Sequence, residues 1–319
     1  MPSISRFLFP AVTAIFVVVC LYGLRGDLAL VSLAPLTRSW NMVVVAALCS
    51  LLNYAFRIIR WQRYLSKLGH PLPPGFTALT YIAGFAFTVS PGKVGEMARA
   101  RYYSRLGLSL ADTAGAFCIE RLMDVMAMMV LASFIVAALP RYHIAMWSAG
   151  VLVAAVLITL ASVPWSAIAN ELQKWERLPH TLMNVLVGIT RALAAARSLL
   201  SPGALLFGFI MGLIAWGLEG IGLCALGSII PATSLPVATG VGIYAIAVLV
   251  GAISFLPGGL GSTEAAMTAL LAAQGYAVGA ALLVTIVCRL VTLWLAVLIG
   301  WIAVLVLRHR ETALVSSWR

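Results

Sequence analysis

Apolar runs long enough to cross a lipid bilayer recur along the chain, separated by short stretches that carry most of the charge. A crossing takes about 20 mostly apolar residues in helix, because the hydrocarbon core offers the backbone no partner but itself. Six segments have that character: 7–24, 40–57, 112–138, 143–162, 203–229 and 278–307. Two more apolar segments, 75–105 and 237–275, are interrupted. The first contains Ser90-Pro91-Gly92-Lys93-Val94-Gly95-Glu96, the second Leu256-Pro257-Gly258-Gly259-Leu260-Gly261-Ser262-Thr263-Glu264. Proline removes a donor and clustered glycine loosens the backbone, so both motifs break a helix. Irregular backbone at membrane depth is tolerated only inside protein or beside a wet cavity. The pattern predicts an all-α polytopic helix bundle of six spans plus two re-entrant broken hairpins, with eight full spans as the alternative. The run 7–24 after Arg6 reads as a retained signal-anchor, since no clear small-x-small cleavage site follows it.

Loop charge orients this arrangement. With a cytoplasmic N-terminus, Arg57, Arg60, Arg63, Lys67, Arg99, Arg101 and Arg105 fall inside, with Lys174, Arg177, Arg191, Arg197, Arg308, Arg310 and Arg319. Only Arg25, Arg38 and Arg141 fall outside, Asp27 beside them. Lys and Arg concentrate on the cytoplasmic side, so both termini are expected there, in a bacterial inner membrane. Residues 57–69 and 167–200 are predicted to be amphipathic helices on the inner surface, basic faces toward anionic headgroups, or else plain solvated connectors.

The chain also reads as a repeat within one transmembrane domain, 1–319. Pro257 lies 166 positions after Pro91, and that offset superposes Gly258 on Gly92, Gly261 on Gly95 and Glu219 on Asn53. Arg289-Leu290 follows Arg121-Leu122 at 168. The halves are approximately 40–138 and 203–307, joined by a cytoplasmic linker at 163–202. In the six-span reading they are inverted, the arrangement of transporters whose site lies where two broken helices meet.

Composition narrows the classes. Of 319 residues 62% are hydrophobic and 10% charged, which excludes an ordinary soluble domain, typically about 25% charged. The net charge of +11 is scattered through short loops, so it is a topology signal and no nucleic-acid partner is expected. The five cysteines lie in apolar stretches without a C-x-x-C, and His70, His143, His180 and His309 have no metal-ligand spacing. No P-loop, G-x-S-x-G or H-E-x-x-H occurs. Neither an enzyme nor a cofactor is expected.

The chemistry then lies in charges kept inside apolar segments, each costing roughly 2.5–3.5 kcal/mol to insert. The acids are Glu96, Glu120, Asp124, Glu219 and Glu264; the bases are Lys93, Arg99, Arg121 and Arg289. Glu120 and Asp124 share a helix face, and Arg121 is placed to pair with Asp124. These groups either glue helices together or line a polar path for a charged or zwitterionic headgroup. Gly258, Gly259 and Gly261 lead into Ser262, Thr263 and Glu264 at a helix N-terminus, where free amides suit a lipid phosphate. The bland alternative is a helix capped by Ser262 or Thr263 with Glu264 in its first turn. In the functional reading the phosphate sits between the two breaks, on the amides of Gly259–Thr263. Arg121 and Arg289 bind it or balance Glu120, Asp124 and Glu219, and Glu219 is a candidate for proton coupling.

Three motifs, P-G-K-V-G-E-M-A-R-A at 91–100, E-R-L-M-D at 120–124 and P-G-G-L-G-S-T-E-A-A-M at 257–267, together resemble the membrane domain of lysylphosphatidylglycerol synthases, also found alone as flippase-like proteins. The resemblance runs over roughly 7–307. It implies that Glu96, Arg99, Glu120, Arg121, Asp124 and the Pro257–Glu264 loop carry function. In longer members the domain moves an aminoacylated phospholipid to the outer leaflet, and a soluble domain attaches the amino acid. With Arg319 a few residues past the last span, no such domain fits, so the resemblance implies lipid translocation, not synthesis. Stand-alone members are associated with hopanoid pathways and polyprenyl-linked sugars. The expectation is thus a flippase-like lipid translocase whose partners are membrane lipids, with a homo-oligomer or lipid-biosynthesis enzymes as candidates. The alternatives are a scaffold of such a pathway and a membrane-embedded lipid transferase.

Overall fold

A computed structural model describes residues 34–137, 140–175, 179–231 and 233–317, and every regular element among them is helical. The run 7–24, its role as anchor, Arg25, Asp27, Arg177 and Arg319 lie outside the described residues. The first long helix, α1 (Trp40–Lys67), is 28 residues, roughly 42 Å at 1.5 Å per residue. Here the prediction of a span ending at 57 and a separate surface helix at 57–69 is corrected. Nothing between Phe56 and Lys67 breaks a helix, and Asn53, Tyr54, Arg57, Arg60, Trp61 and Tyr64 recur on one buried face. Arg57 and Arg60 keep only 5% and 0% of their surface exposed, so neither faces headgroups.

The first broken segment is α2 (Pro74–Phe85), a break, a tight 3-10 stretch (Pro91–Arg99) and α3 (Ala100–Ser104). Next comes α4 (Leu110–Val136), which starts at Ser109 because its side chain accepts the amide of Asp112 at 3.0 Å. The middle of the chain holds α5 (His143–Ser162), α6 (Trp165–Leu172) and α7 (His180–Ser198). After α8 (Pro202–Gly227) the second broken segment follows: α9 (Val237–Ile253), a 3-10 turn (Pro257–Gly259) and α10 (Ser262–Ala273). The chain closes with α11 (Val278–Arg289), a widened π turn (Leu290–Trp294) and α12 (Leu295–Ser317). Among the described residues four helical runs are long and apolar enough to cross a membrane: Trp40–Lys67, His143–Ser162, Pro202–Gly227 and Val278–His309. Helix α4 has the length but carries Asp112, Glu120, Arg121 and Asp124.

The 167–200 segment holds most of α6 and all of α7, and α7 is docked on the bundle. Helix α7 packs along α4 so closely that a Cβ on Gly115 would stand 2.7 Å from Ala195 Cβ. Away from α4 it exposes Leu182, Val185 and Ile189 together with Arg191 and Arg197.

Two apolar cores hold the bundle. One gathers aromatics of α1, α2, α3 and α4, among them Trp61, Tyr64, Tyr81, Phe85 and Tyr103. The other gathers Leu223, Ile243, Ala247, Met267, Leu271 and Val284 from α8 to α11. Helices α1 and α8 join the two, with Gly212 beside Arg60 and Gly222 beside Ala46. Close packing over small residues replaces the hydrophobic drive that lipid cannot supply. Outside, Leu48, Leu52 and Ile59 of α1 and Ile144, Trp147, Val151 and Leu152 of α5 are exposed, as a lipid-solvated surface requires.

Candidate functional site

Both breaks turn in the same way. After Pro91, Gly92 (φ 59, ψ 14) and Lys93 (φ 58, ψ 22) are left-handed; after Pro257, Gly258 (φ 63, ψ 11) and Gly259 (φ 67) are too. Glycine takes this conformation freely, whereas an ordinary L-residue loses about 1 kcal/mol or more there. The two breaks touch: Val89, Leu260 and Leu293 form one small apolar cluster, and a Cβ on Gly258 would lie 3.5 Å from Val89. The first is tied by Ser90, whose carbonyl accepts the Lys93 amide (2.9 Å) and whose hydroxyl accepts the Gly95 amide (2.7 Å).

The second break is tied internally. The amides of Gly259 and Leu260 donate to Leu256 and Pro257 carbonyls, and the Gly261 amide donates to Glu264 Oε2 at 2.6 Å. Ser262 Oγ donates to the Gly259 carbonyl at 3.1 Å. The residue capping α10 is thus Gly261 (φ 83), with Glu264 reaching back to it, and not Ser262 or Thr263. The expectation that the amides of Gly259 through Thr263 stand free is corrected at Gly259, Leu260 and Gly261: the turn consumes them itself. Arg289 completes this knot, donating from Nε to Glu264 Oε1 (2.5 Å) and from Nη2 to the Gly258 carbonyl (2.8 Å). Its ion pair is with Glu264 and not with Glu120, Asp124 or Glu219.

On the other side lies an ionic network among α1, α4 and the first break. Glu120, fully buried, faces Arg99 (2.9 Å), Arg60 (3.3 Å), Arg121 (3.3 Å) and Arg57 (3.9 Å), and accepts from the Tyr81 hydroxyl. Asp124 pairs with Arg60 (2.7 Å) and Arg121 (3.0 Å), the latter at the spacing read from the sequence. Glu96 pairs with Arg57 (3.6 Å) and accepts from Thr88 (2.8 Å). Glu120 and Asp124 each share several bases, as ions this far from water require. Aromatic rings supply further contact: the Arg99 guanidinium lies 3.6 Å from the Trp61 ring centre, that of Arg57 5.1 Å from Phe85.

Between network and knot lies a cavity of about 260 Å³. Arg57, Lys93, Arg121, Asp124, Glu219 and Arg289 reach its wall, as do Gly258, Gly259 and Thr263. Phe85, Val125, Met128, Val248 and Leu293 make the rest of the wall apolar. The sequence-predicted Glu96, Arg99 and Glu120 stand behind the wall; Gly261, Ser262 and Glu264 form the cap beside it. Glu219 accepts a hydrogen bond from Ser50 (2.9 Å), and Lys93 Nζ sits 5.2 Å from the Trp216 ring centre. Among the described residues Arg57 Nε, Arg121 Nε and Trp216 Nε1 have no hydrogen-bond partner.

The charge around this space is unequal. Five bases (Arg57, Arg60, Lys93, Arg99, Arg121) meet three acids (Glu96, Glu120, Asp124), a surplus of two; counting Glu219 as ionised leaves one. Sequence reasoning missed Arg57 and Arg60. Their spacing of three, in register with Asn53, Trp61 and Tyr64, was the available signal that they turn inward. The π turn was missed too: it presents the Thr292 carbonyl to the Tyr54 hydroxyl at 2.6 Å.

Broken helices meeting at a cation-rich cavity, inside a bundle whose outer surface is apolar, define a multi-pass membrane protein with an internal polar site. Residues 7–300 match the model of the lysylphosphatidylglycerol synthase TM region, and the chain belongs to that family. Membership supports a role tied to membrane lipid. A comparison with individual curated proteins gives no match.

Proposed function

We propose that the chain is a lipid translocase that passes an anionic headgroup through the cavity between the two breaks while the acyl chains stay in the bilayer. The observation that carries this reading is the surplus of basic side chains, with half-buried Lys93 and Arg121 supplying it, around a space with unpartnered donors. Isolated charge in such surroundings is costly, and a phosphate would both neutralise it and occupy those donors. The mixed wall suits a molecule polar at one end only. Family membership adds the lipid.

In this reading no covalent step occurs, the two halves act as an inverted repeat, and the chain sits in a bacterial inner membrane with both ends cytoplasmic. Its partners are the membrane lipids, with a second copy or lipid-synthesis enzymes, including those of hopanoids, as candidates.

The test is lipid movement in reconstituted vesicles. The panel is phosphatidylglycerol, its lysyl ester, phosphatidylethanolamine, a hopanoid and a polyprenyl phosphate. Arg289→Ala, which unties the second break, is the control variant. Movement of a phosphate-bearing lipid that is lost in the variant is the expected result. No movement of any lipid by folded, oriented protein would sink the translocase reading in favour of a scaffold, in which the buried charges only hold helices together.

A further inference from the structure

Among the described residues only Lys93 and Phe255 hold positive φ without being glycine. Phe255 lies two residues past the end of α9, 74% exposed and outside the cavity wall. Lys93 is on that wall. Its counterpart at the same turn of the other half is Gly259, which adopts φ 67 at no steric cost. The first break therefore carries a lysine at a position where the second shows that glycine makes the turn.

What the side chain does within the protein does not explain its presence. Arg57, Arg60, Arg99, Arg121 and Arg289 each have a carboxylate within 4.0 Å, whereas Lys93 has no ion pair among the described residues. Its ammonium rests against the Trp216 ring, 5.2 Å from the ring centre, in the cavity that Arg57 and Arg121 also line. A ring face attracts a cation without satisfying its three donors. Strain is retained where a functional contact needs it.

We propose that Lys93 is the specificity-determining contact for the headgroup phosphate, which its ammonium takes above Trp216, with Arg57 and Arg121 flanking. The proposal rests on the translocase reading for its cargo, but binding tests it without transport. The ligand chemistry is a phosphate ester, and its source is either a glycerophospholipid diester or a polyprenyl monoester.

The experiment measures binding of short-chain phosphatidylglycerol, a short polyprenyl phosphate and inorganic phosphate to purified protein, by native mass spectrometry and calorimetry, for wild type, Lys93→Gly and Lys93→Arg. Thermal unfolding of each is recorded alongside. Lys93→Gly relieves the left-handed strain but frees the unfolded chain, and these effects offset. Its unfolding midpoint should match or exceed that of wild type, while lipid phosphate binding weakens on the order of tenfold or more, the loss of one charge-assisted contact. Lys93→Arg keeps the charge and should retain binding. Comparison of the two lipids tells diester from monoester, and binding of inorganic phosphate alone would overturn the lipid assignment. Unchanged lipid binding in Lys93→Gly would overturn the proposal. So would a lower midpoint in that variant, which would make Lys93 a structural tie. Lipid phosphate held through Lys93 but never moved across the bilayer would leave this assignment standing and sink the translocase reading instead.

Discussion

Glu120 shows how one buried acid can organise a membrane protein. Its carboxylate is the common partner of Arg57, Arg60, Arg99 and Arg121 and accepts from Tyr81. Removing it leaves several cations without a full complement of negative charge, and breaking a buried ion pair costs about 3–5 kcal/mol. Glu120→Ala should therefore abolish monodisperse folded protein in detergent, seen by size-exclusion chromatography. Glu120→Gln, which keeps an acceptor for Tyr81, should be less damaged. A normally folded Glu120→Ala would show that the arginines are held by something else. At this scale Glu120, Arg121 and Asp124 were legible because three charges in an apolar run must find partners inside the protein, whether they hold helices together or line a polar path. Arg57 and Arg60 were not. A rule about which side of the membrane basic residues occupy sent them to a loop, when the helix face they share with Asn53 and Trp61 turns them inward. Arg289 was visible as a buried base, but only the fold says that Glu264 holds it.

Among the elements, the two breaks were readable because proline and glycine act locally: the helices end at Phe85 and Ile253, and the left-handed turns form at Pro91-Gly92 and Pro257-Gly258. The continuation of α1 to Lys67, the docking of α7 on α4 and the π turn after Arg289 were not, since each depends on what another helix presents. The first break also depends on a bare backbone. A Cβ on Gly95 would come within 2.8 Å of both Phe87 Cβ and Ser90 Oγ, so Gly95→Ala must displace the turn that carries Lys93. Its expected cost is about 1–3 kcal/mol, as for other overpacked sites, with slowed lipid movement. Gly217→Ala on α8 is the matched control, because a Cβ there meets nothing within 4 Å. Helix propensity alone makes that change neutral or slightly stabilising. Thermal unfolding and vesicle transport of the pair check this, and equal behaviour of the two variants would contradict it.

For the whole molecule, the offset of 166 positions acquires a physical meaning. It relates two turns with the same left-handed pair after proline, and those turns meet at Val89, Leu260 and Leu293. One faces a network rich in arginine; the other is closed on itself by Glu264 and Arg289. A translocase built this way passes its headgroup between the two turns only if they separate, and packed elements of this kind switch between discrete arrangements. The most direct measurement joins the breaks reversibly. In a cysteine-free background, Val89→Cys with Leu260→Cys is reconstituted, and phosphatidylglycerol movement is followed before oxidation, after cross-linking and after reduction. The account predicts movement that stops on cross-linking and returns on reduction. Movement indifferent to a verified cross-link would contradict the claim that the headgroup passes between the breaks, and no movement in any of the three states would contradict translocation itself.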